Sequence, residues 1–209
     1  MATLPPTIGI LALQGDFREH ITSLESIGVE TREVRHPQHL NKLDGLVIPG
    51  GESTTISRLL IAYHLYEPIR KLGQSDFPIW GTCAGAILLA NHSPALDRPT
   101  LELIPMTIER NGFGRQINSF ETNISAPRLG SDPYRAIFIR APRIRSIDSN
   151  VKIIGTLNNE PVAVQYGTLF ATTFHPELTN DLRIHQFFID QCVQTTISLQ
   201  KRKNLEAMS

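Results

Sequence analysis

The chain has 209 residues, with 20 Lys plus Arg against 20 Asp plus Glu, so its formal net charge is zero. That length suits one domain able to bury roughly 70% of its unfolded surface without a disulfide scaffold, and balanced charge excludes a global electrostatic attraction to nucleic acid or an anionic membrane. No apolar run approaches the roughly 18 residues of a membrane span, the start of the chain lacks a secretory pattern, and two distant cysteines, Cys83 and Cys192, fit a reduced, cytoplasmic protein.

In the first half, short apolar runs alternate with helical patterns, the signature of a parallel α/β sheet. Residues 8–13 read as a buried strand ending at Gln14-Gly15. Phe17, Ile21, Leu24 and Ile27 then recur at helical spacing, and Gly28 is placed to end that helix. A second strand covers 29–34. A third, 45–49, runs into Gly50-Gly51-Glu52-Ser53, where Ser53 can cap a helix carrying Ile56, Leu59, Leu60 and Tyr63. A fourth, 78–81, enters Thr82-Cys83-Ala84-Gly85 and an apolar helix over 86–90.

The second half shows strand-like stretches at 106–108, 116–124, 136–139, 151–156, 162–165 and 169–173, with almost no helix between them. Such a run implies hairpins appended to the sheet. A closing helix over about 180–197 places Leu182, Phe187, Phe188, Ile189 and Val193 mostly along one side, and the polar stretch 198–209 reads as a frayed tail. The expected architecture is a single α/β domain over 1–197: a three-layer mixed sheet with helices on both faces and appended antiparallel strands.

The strongest chemical signal is Gly81-Thr82-Cys83-Ala84-Gly85 between a strand and a helix. Small residues around a nucleophile permit a sharp turn that exposes it at a helix start, where the dipole favours a thiolate and the next backbone N–H can face an oxyanion. A thiolate also needs a base and a group to orient that base. Phe174-His175-Pro176-Glu177, directly after a strand, offers both: two residues apart in an extended segment, His175 and Glu177 point to the same side. Gly50-Gly51 forms a third element, because glycines let main-chain N–H groups approach a substrate, and Gly51 can join Ala84 as an oxyanion donor. All three follow strands, whose ends are where parallel sheets bind ligands. Cys192 reads as a core residue, as does Trp80. His20, His36, His39, His64, His92 and His185 show no metal-ligand grouping, so surface or turn roles are expected for them, and no metal or cofactor.

At these residues the chain resembles the class I, triad-type glutamine amidotransferases: Gly-Thr-Cys-Ala-Gly at 81–85, Pro-Gly-Gly-Glu-Ser at 49–53 and His-Pro-Glu at 175–177. Further segments resemble the glutaminase subunits of pyridoxal 5'-phosphate synthases. These are Leu11 to Gly15 with Arg18-Glu19-His20, Glu109-Arg110-Asn111 with Phe113-Gly114-Arg115-Gln116, Ser119-Phe120-Glu121, and Phe138-Ile139-Arg140-Ala141-Pro142. The resemblance implies a flavodoxin-like fold and hydrolysis of glutamine to glutamate and ammonia through a thioester on Cys83. His175 would move the protons, Glu177 would orient it, and Gly51 and Ala84 would hold the oxyanion. Gly51, Glu52, Ser53, Arg110, Ile139 and Arg140 would line the glutamine site, with Arg110 or Arg140 gripping the α-carboxylate. Gln14 would arrange the oxyanion loop or a partner contact, unless it is only a strand-end turn residue. The implied partner is a (β/α)8-barrel synthase subunit that receives the ammonia.

Cys, His and Glu alone do not define the acyl group, so a cysteine peptidase on the same kind of sheet, or a non-catalytic scaffold, remains an alternative at this level. The zero net charge is also an average over unequal regions. Residues 108–145 hold Arg110, Arg115, Arg128, Arg135, Arg140, Arg143 and Arg145 against Glu109, Glu121 and Asp132, and carboxylate or partner contacts are expected there.

Overall fold

The computed structural model describes residues 5–94, 96–112 and 119–206. In chain order the elements are β1 (Thr7–Leu11), α1 (Phe17–Ser26), β2 (Glu30–Val34), β3 (Gly45–Ile48), α2 (Ser53–Ala62), α3 (Tyr66–Gln74), β4 (Ile79–Thr82) and α4 (Ala84–Leu89). They continue with β5 (Ala90–His92), β6 (Ile104–Glu109), β7 (Ser119–Ile124), β8 (Tyr134–Ile139), β9 (Arg143–Ile147), β10 (Lys152–Leu157), β11 (Glu160–Tyr166), β12 (Leu169–Thr172) and α5 (Arg183–Glu206). Seven strands form the main sheet in the order β10-β11-β12-β4-β3-β1-β2. The run from β12 to β2 is parallel throughout, whereas β10, β11 and β12 pair antiparallel. A three-stranded sheet, β5-β6-β9, and the hairpin β7-β8 are the appended antiparallel-rich elements.

Apart from the charged edge strand β2, the parallel strands are short and apolar on both faces, which is what a sheet covered by helices on both sides requires. Alternation divides their side chains between two cores. Leu46 and Ile48 of β3 and Ile79 of β4 face a core shared with Ile56 and Leu60 of α2, Ile69 of α3 and the apolar α4. Ile8 and Ile10 of β1, Val47 of β3 and Trp80 of β4 face the other, shared with Leu24 of α1 and Ile184, Phe188 and Cys192 of α5. The expected three-layer arrangement is therefore present. Fully buried rings such as Trp80, Phe170 and Phe188 each stabilise it by roughly 1.5–3 kcal/mol.

Three details differ from the sequence reading. Helix α3 was not anticipated: its Pro68 falls in the first turn, where a missing N–H is harmless, and the Tyr66 hydroxyl donates to the Thr100 carbonyl at 2.7 Å to hold the helix down. Strands β5 and β9 were also not expected, and β9 is rich in charge because only one side of it is covered. Helix α5 does not stop near residue 197 but runs to Glu206, since Leu199, Gln200, Lys201, Arg202 and Lys203 are good helix formers and no Gly or Pro interrupts them.

Candidate active site

The loops after β1, β3, β4 and β12 meet at the carboxyl edge of the parallel sheet, where they enclose a cavity of about 360 Å³. It is lined by Gln14 and Asp16 after β1, Gly51, Glu52 and Ser53 after β3, and Cys83 and Ala84 after β4. His175 after β12 completes that wall, and the appended strands supply the opposite one: Arg110 and Asn111 follow β6, Ile139 ends β8 and Arg140 follows it.

Cys83 sits between β4 and α4 with φ 48° and ψ −100°, a left-handed conformation that a residue with a β-carbon rarely adopts. Strain of this kind persists only where neighbours impose it. Here the Cys83 N–H donates to the Thr172 carbonyl at 2.8 Å, and its own carbonyl accepts from Ile87 N at 3.3 Å. Those bonds close the strand-to-helix elbow and leave the thiol 3.9 Å from the Ile139 carbonyl, at the cavity wall.

His175 is anchored by its own backbone, whose N–H donates to the Ile137 carbonyl of β8 at 2.8 Å. Its Nδ1 lies 2.7 Å from Glu177 Oε1 and 3.3 Å from Asp16 Oδ2. The His–Glu pairing expected from sequence is present, but not in an extended segment: Pro176–Leu178 forms a 3-10 turn that folds the carboxylate back onto the ring. Burial opposes charge on His175, yet contacts with Asp16, Cys83 and Glu177 outweigh it and raise the imidazole to about 12. Burial pushes the Glu177 carboxyl up, opposed by His175, while the His175 contact holds Asp16 below its ordinary value. Asp16, His175 and Glu177 bring ligand-type atoms within 4.8 Å of one another. The single Nδ1 proton shared by two carboxylates accounts for that cluster without a metal.

The loop after β3 is held by the loop after β1. Gln14 Oε1 accepts from Glu52 N at 2.8 Å, and Asp16 N donates to the Gly50 carbonyl at 3.2 Å. Gly51 has φ 150°, and a β-carbon there would lie 2.6 Å from Gln14 Oε1, so only glycine fits this crossing. The cap of α2 is Glu52, not Ser53 as expected: its carboxylate accepts from Thr54 N at 3.3 Å and Thr55 N at 2.7 Å. Burial raises the Glu52 carboxyl, but those bonds more than offset it and leave its pKa below the ordinary value. Ser53, one residue on, is buried in the first turn, and its hydroxyl has no hydrogen-bond partner among the described residues. Arg110 is tied to the same cap, with Nη2 2.8 Å from Glu52 Oε1 and Nη1 3.2 Å from Thr54 Oγ1. Elsewhere in 108–145, Arg135 pairs with Glu121, Arg145 with Glu109, and Arg143 reaches out to Glu160. The local arginine excess is thus partly matched by acids, including Glu52 and Glu160 from outside the segment. Phe113-Gly114-Arg115-Gln116 lies outside the described residues.

Two of the histidines assigned surface or turn roles are instead fully buried. His20 and His185 are 0% exposed and pack on Trp80 beneath the site, because α1 and α5 turn these positions inward onto β4. Burial depresses both, His185 to about 4 and His20 well below its usual value. Sequence reasoning also missed Asp16, Ile87, Asn111 and Leu178 as lining residues. Asp16 had a signal, following Gln14-Gly15 at a strand end; the others depend on tertiary placement. Cys192 is buried and free, as expected of a core residue, with its thiol pushed up by burial.

Residues 10–194 match the family model described as the SNO glutamine amidotransferase family. A relative from Moorella thermoacetica, "Pyridoxal 5'-phosphate synthase subunit PdxT", is 49% identical over 182 residues, covering 87% of this chain and 97% of its own. One of the same name from Chloroflexus aurantiacus is 52% identical over 188 residues, covering 88% and 99%. Among solved structures, "Crystal structure of glutamine amidotransferase" superposes with a TM-score of 0.85 at 42% identity, covering 88% of this chain and 98% of that one.

Proposed function

The chain belongs to the SNO glutamine amidotransferase family, and we propose that Cys83, His175 and Glu177 perform its reaction. It is the glutaminase subunit of a pyridoxal 5'-phosphate synthase and hydrolyses glutamine to glutamate and ammonia. The carrying observation is the 2.7 Å contact of His175 with Glu177 on the same cavity as a strained, elbow-borne Cys83.

In this reading the Cys83 sulfur attacks the side-chain amide carbon of glutamine, and the charge on its oxygen is held by the N–H groups of Gly51 and Ala84. His175 gives its proton to the departing ammonia, then takes one from the water that cleaves the thioester, releasing glutamate. Glu177 fixes the ring throughout. Arg110, already anchored by Glu52 and Thr54, grips the substrate α-carboxylate. The Ser53 hydroxyl, without a hydrogen-bond partner among the described residues, the Ile139 carbonyl edge and the exposed Arg140, itself at φ 43°, complete the pocket. Gln14 holds the oxyanion loop through Glu52 N.

Ammonia released into water is protonated and lost, which supports a docked acceptor; the reading takes this to be a (β/α)8-barrel synthase subunit. Two unpaired cysteines support a cytoplasmic setting, and among the described residues no helix is long and apolar enough to cross a membrane. The test is glutamate release from glutamine with and without the synthase subunit. Slow turnover by the isolated chain and faster turnover in the complex are expected, because the two glycines allow the Gly50-Gly51 peptide, held here through the Gly50 carbonyl by Asp16 N, to be reoriented when a partner docks. Equal rates, or turnover that survives Cys83→Ala, would contradict the reading.

A further inference from the structure

Glu177 uses only one of its two oxygens on His175. The other, Oε2, points into the protein with the side chain at 0% exposure, and lies 3.3 Å from His20 Nε2. Among the described residues no group makes an aligned hydrogen bond to that oxygen, and the His20 ring nitrogen is the polar atom brought into contact with it. The same His20 nitrogen is 3.2 Å from Thr82 Oγ1, and Thr82 immediately precedes Cys83. A closed circuit results: Cys83 at the elbow, His175, Glu177, His20 from α1, and Thr82 back at the elbow.

An ionised carboxylate only accepts, so His20 can serve Oε2 only as the tautomer that carries its proton on Nε2. Nδ1 is then a bare acceptor, consistent with its lack of a partner. The groups facing His20 are Trp80 from β4, edge-on at 5.3 Å between ring centres, and His185 from α5 at 5.5 Å. Thr82 and Glu177 complete its surroundings, with the charged His175 beyond Glu177. Burial, with His185 and His175 adding to it, keeps His20 uncharged. A neutral donor suits the position: it holds the carboxylate in place without cancelling the negative charge that orients His175.

The geometry points to His20 as a positioning residue of the glutaminase, whose Nε2–H fixes Glu177 so that Oε1 stays on His175 Nδ1. This rests on the triad assignment above, and the experiment separates the two. Steady-state glutaminase kinetics across pH are measured on the complex with the synthase subunit for His20→Leu, His20→Gln, His20→Asn and Cys83→Ala, with melting temperatures alongside. His20→Leu lowers kcat by about 10–100-fold with KM nearly unchanged. It also moves the acidic limb of kcat/KM up by about one pH unit, because a carboxylate without its donor is protonated sooner. His20→Gln, whose amide reaches the place of Nε2, restores most of kcat and the limb. His20→Asn, one methylene shorter, restores neither. If the leucine variant does not fold, the difference between Gln and Asn decides. The role of His20 is overturned if the variants lose activity only in proportion to stability with the limb unmoved, or if Asn and Gln behave alike, while Cys83→Ala is inactive. Glutamate release by Cys83→Ala instead overturns the triad itself.

Discussion

Replacing Glu52 by alanine removes three interactions at once: the cap bonds to Thr54 N at 3.3 Å and Thr55 N at 2.7 Å, and the 2.8 Å ion pair with Arg110. Loss of a helix cap costs about 1 kcal/mol. The ion pair, with side chains 27% and 47% exposed, adds roughly 0–1 kcal/mol because water screens it. A total of about 1–2 kcal/mol lowers the melting temperature of a chain this size by roughly 2–8 °C. The functional effect is separate. Arg110 loses the carboxylate that aims its guanidinium into the cavity, so KM for glutamine rises about tenfold while kcat changes little, the signature of lost uniform binding. A sign follows for pH as well. The folded-state pKa of Glu52 is depressed, so its stabilisation is fully present above its ordinary value of 4.5 and lost as pH falls through the depressed one. The melting gap between wild type and Glu52→Ala should therefore narrow in acid. Differential scanning calorimetry at several pH values, with glutaminase kinetics in the complex, reads all of this. An unchanged melting temperature at neutral pH, or a collapse of kcat at constant KM, would refute the reasoning.

Asp16→Asn removes one of the carboxylates that hold His175 up to about 12. His175 stabilisation is present below its ordinary value of 6.5 and lost as pH rises through the raised one, so the variant brings that loss, and the basic limb of kcat/KM, down by about one unit; an unmoved limb would show that Asp16 does not act on the ring. Gly85→Ala places a β-carbon 2.0 Å from the Ile48 carbonyl oxygen, a clash with backbone that cannot be relieved by a side-chain shift. Urea unfolding should show a loss of about 3 kcal/mol or more, and a variant as stable as wild type would mean that α4 does not approach β3 so closely.

The elbow was legible because its signal is local: glycine and alanine around Cys83, with an apolar strand before and an apolar helix after. His175 and Glu177 were legible as a pair, although the geometry that joins them is a 3-10 turn, which alternation along a strand does not describe. What escaped were residues whose role depends on what lies across the fold. His20 occupies an ordinary helical position, and only the packing of α1 beneath the Pro176–Leu178 turn turns it onto Glu177. Glu52 and Ser53 are adjacent and both can cap; Arg110, arriving from the far end of β6, engages the cap formed by Glu52. The continuation of α5 past residue 197 escaped for the opposite reason, since a polar stretch without an apolar stripe still holds a helix when its propensities are uniform.

The central claim is that glutamine is hydrolysed through a covalent intermediate on Cys83, and acid quenching of the complex during turnover tests it most directly. Intact mass should show one glutamyl group per chain, peptide mapping should place it on Cys83, and a His175→Asn variant mixed with the thiol-reactive analogue of glutamine should label more slowly. An adduct on Cys192, or full turnover with Cys83 unmodified and replaceable by alanine, would contradict the account.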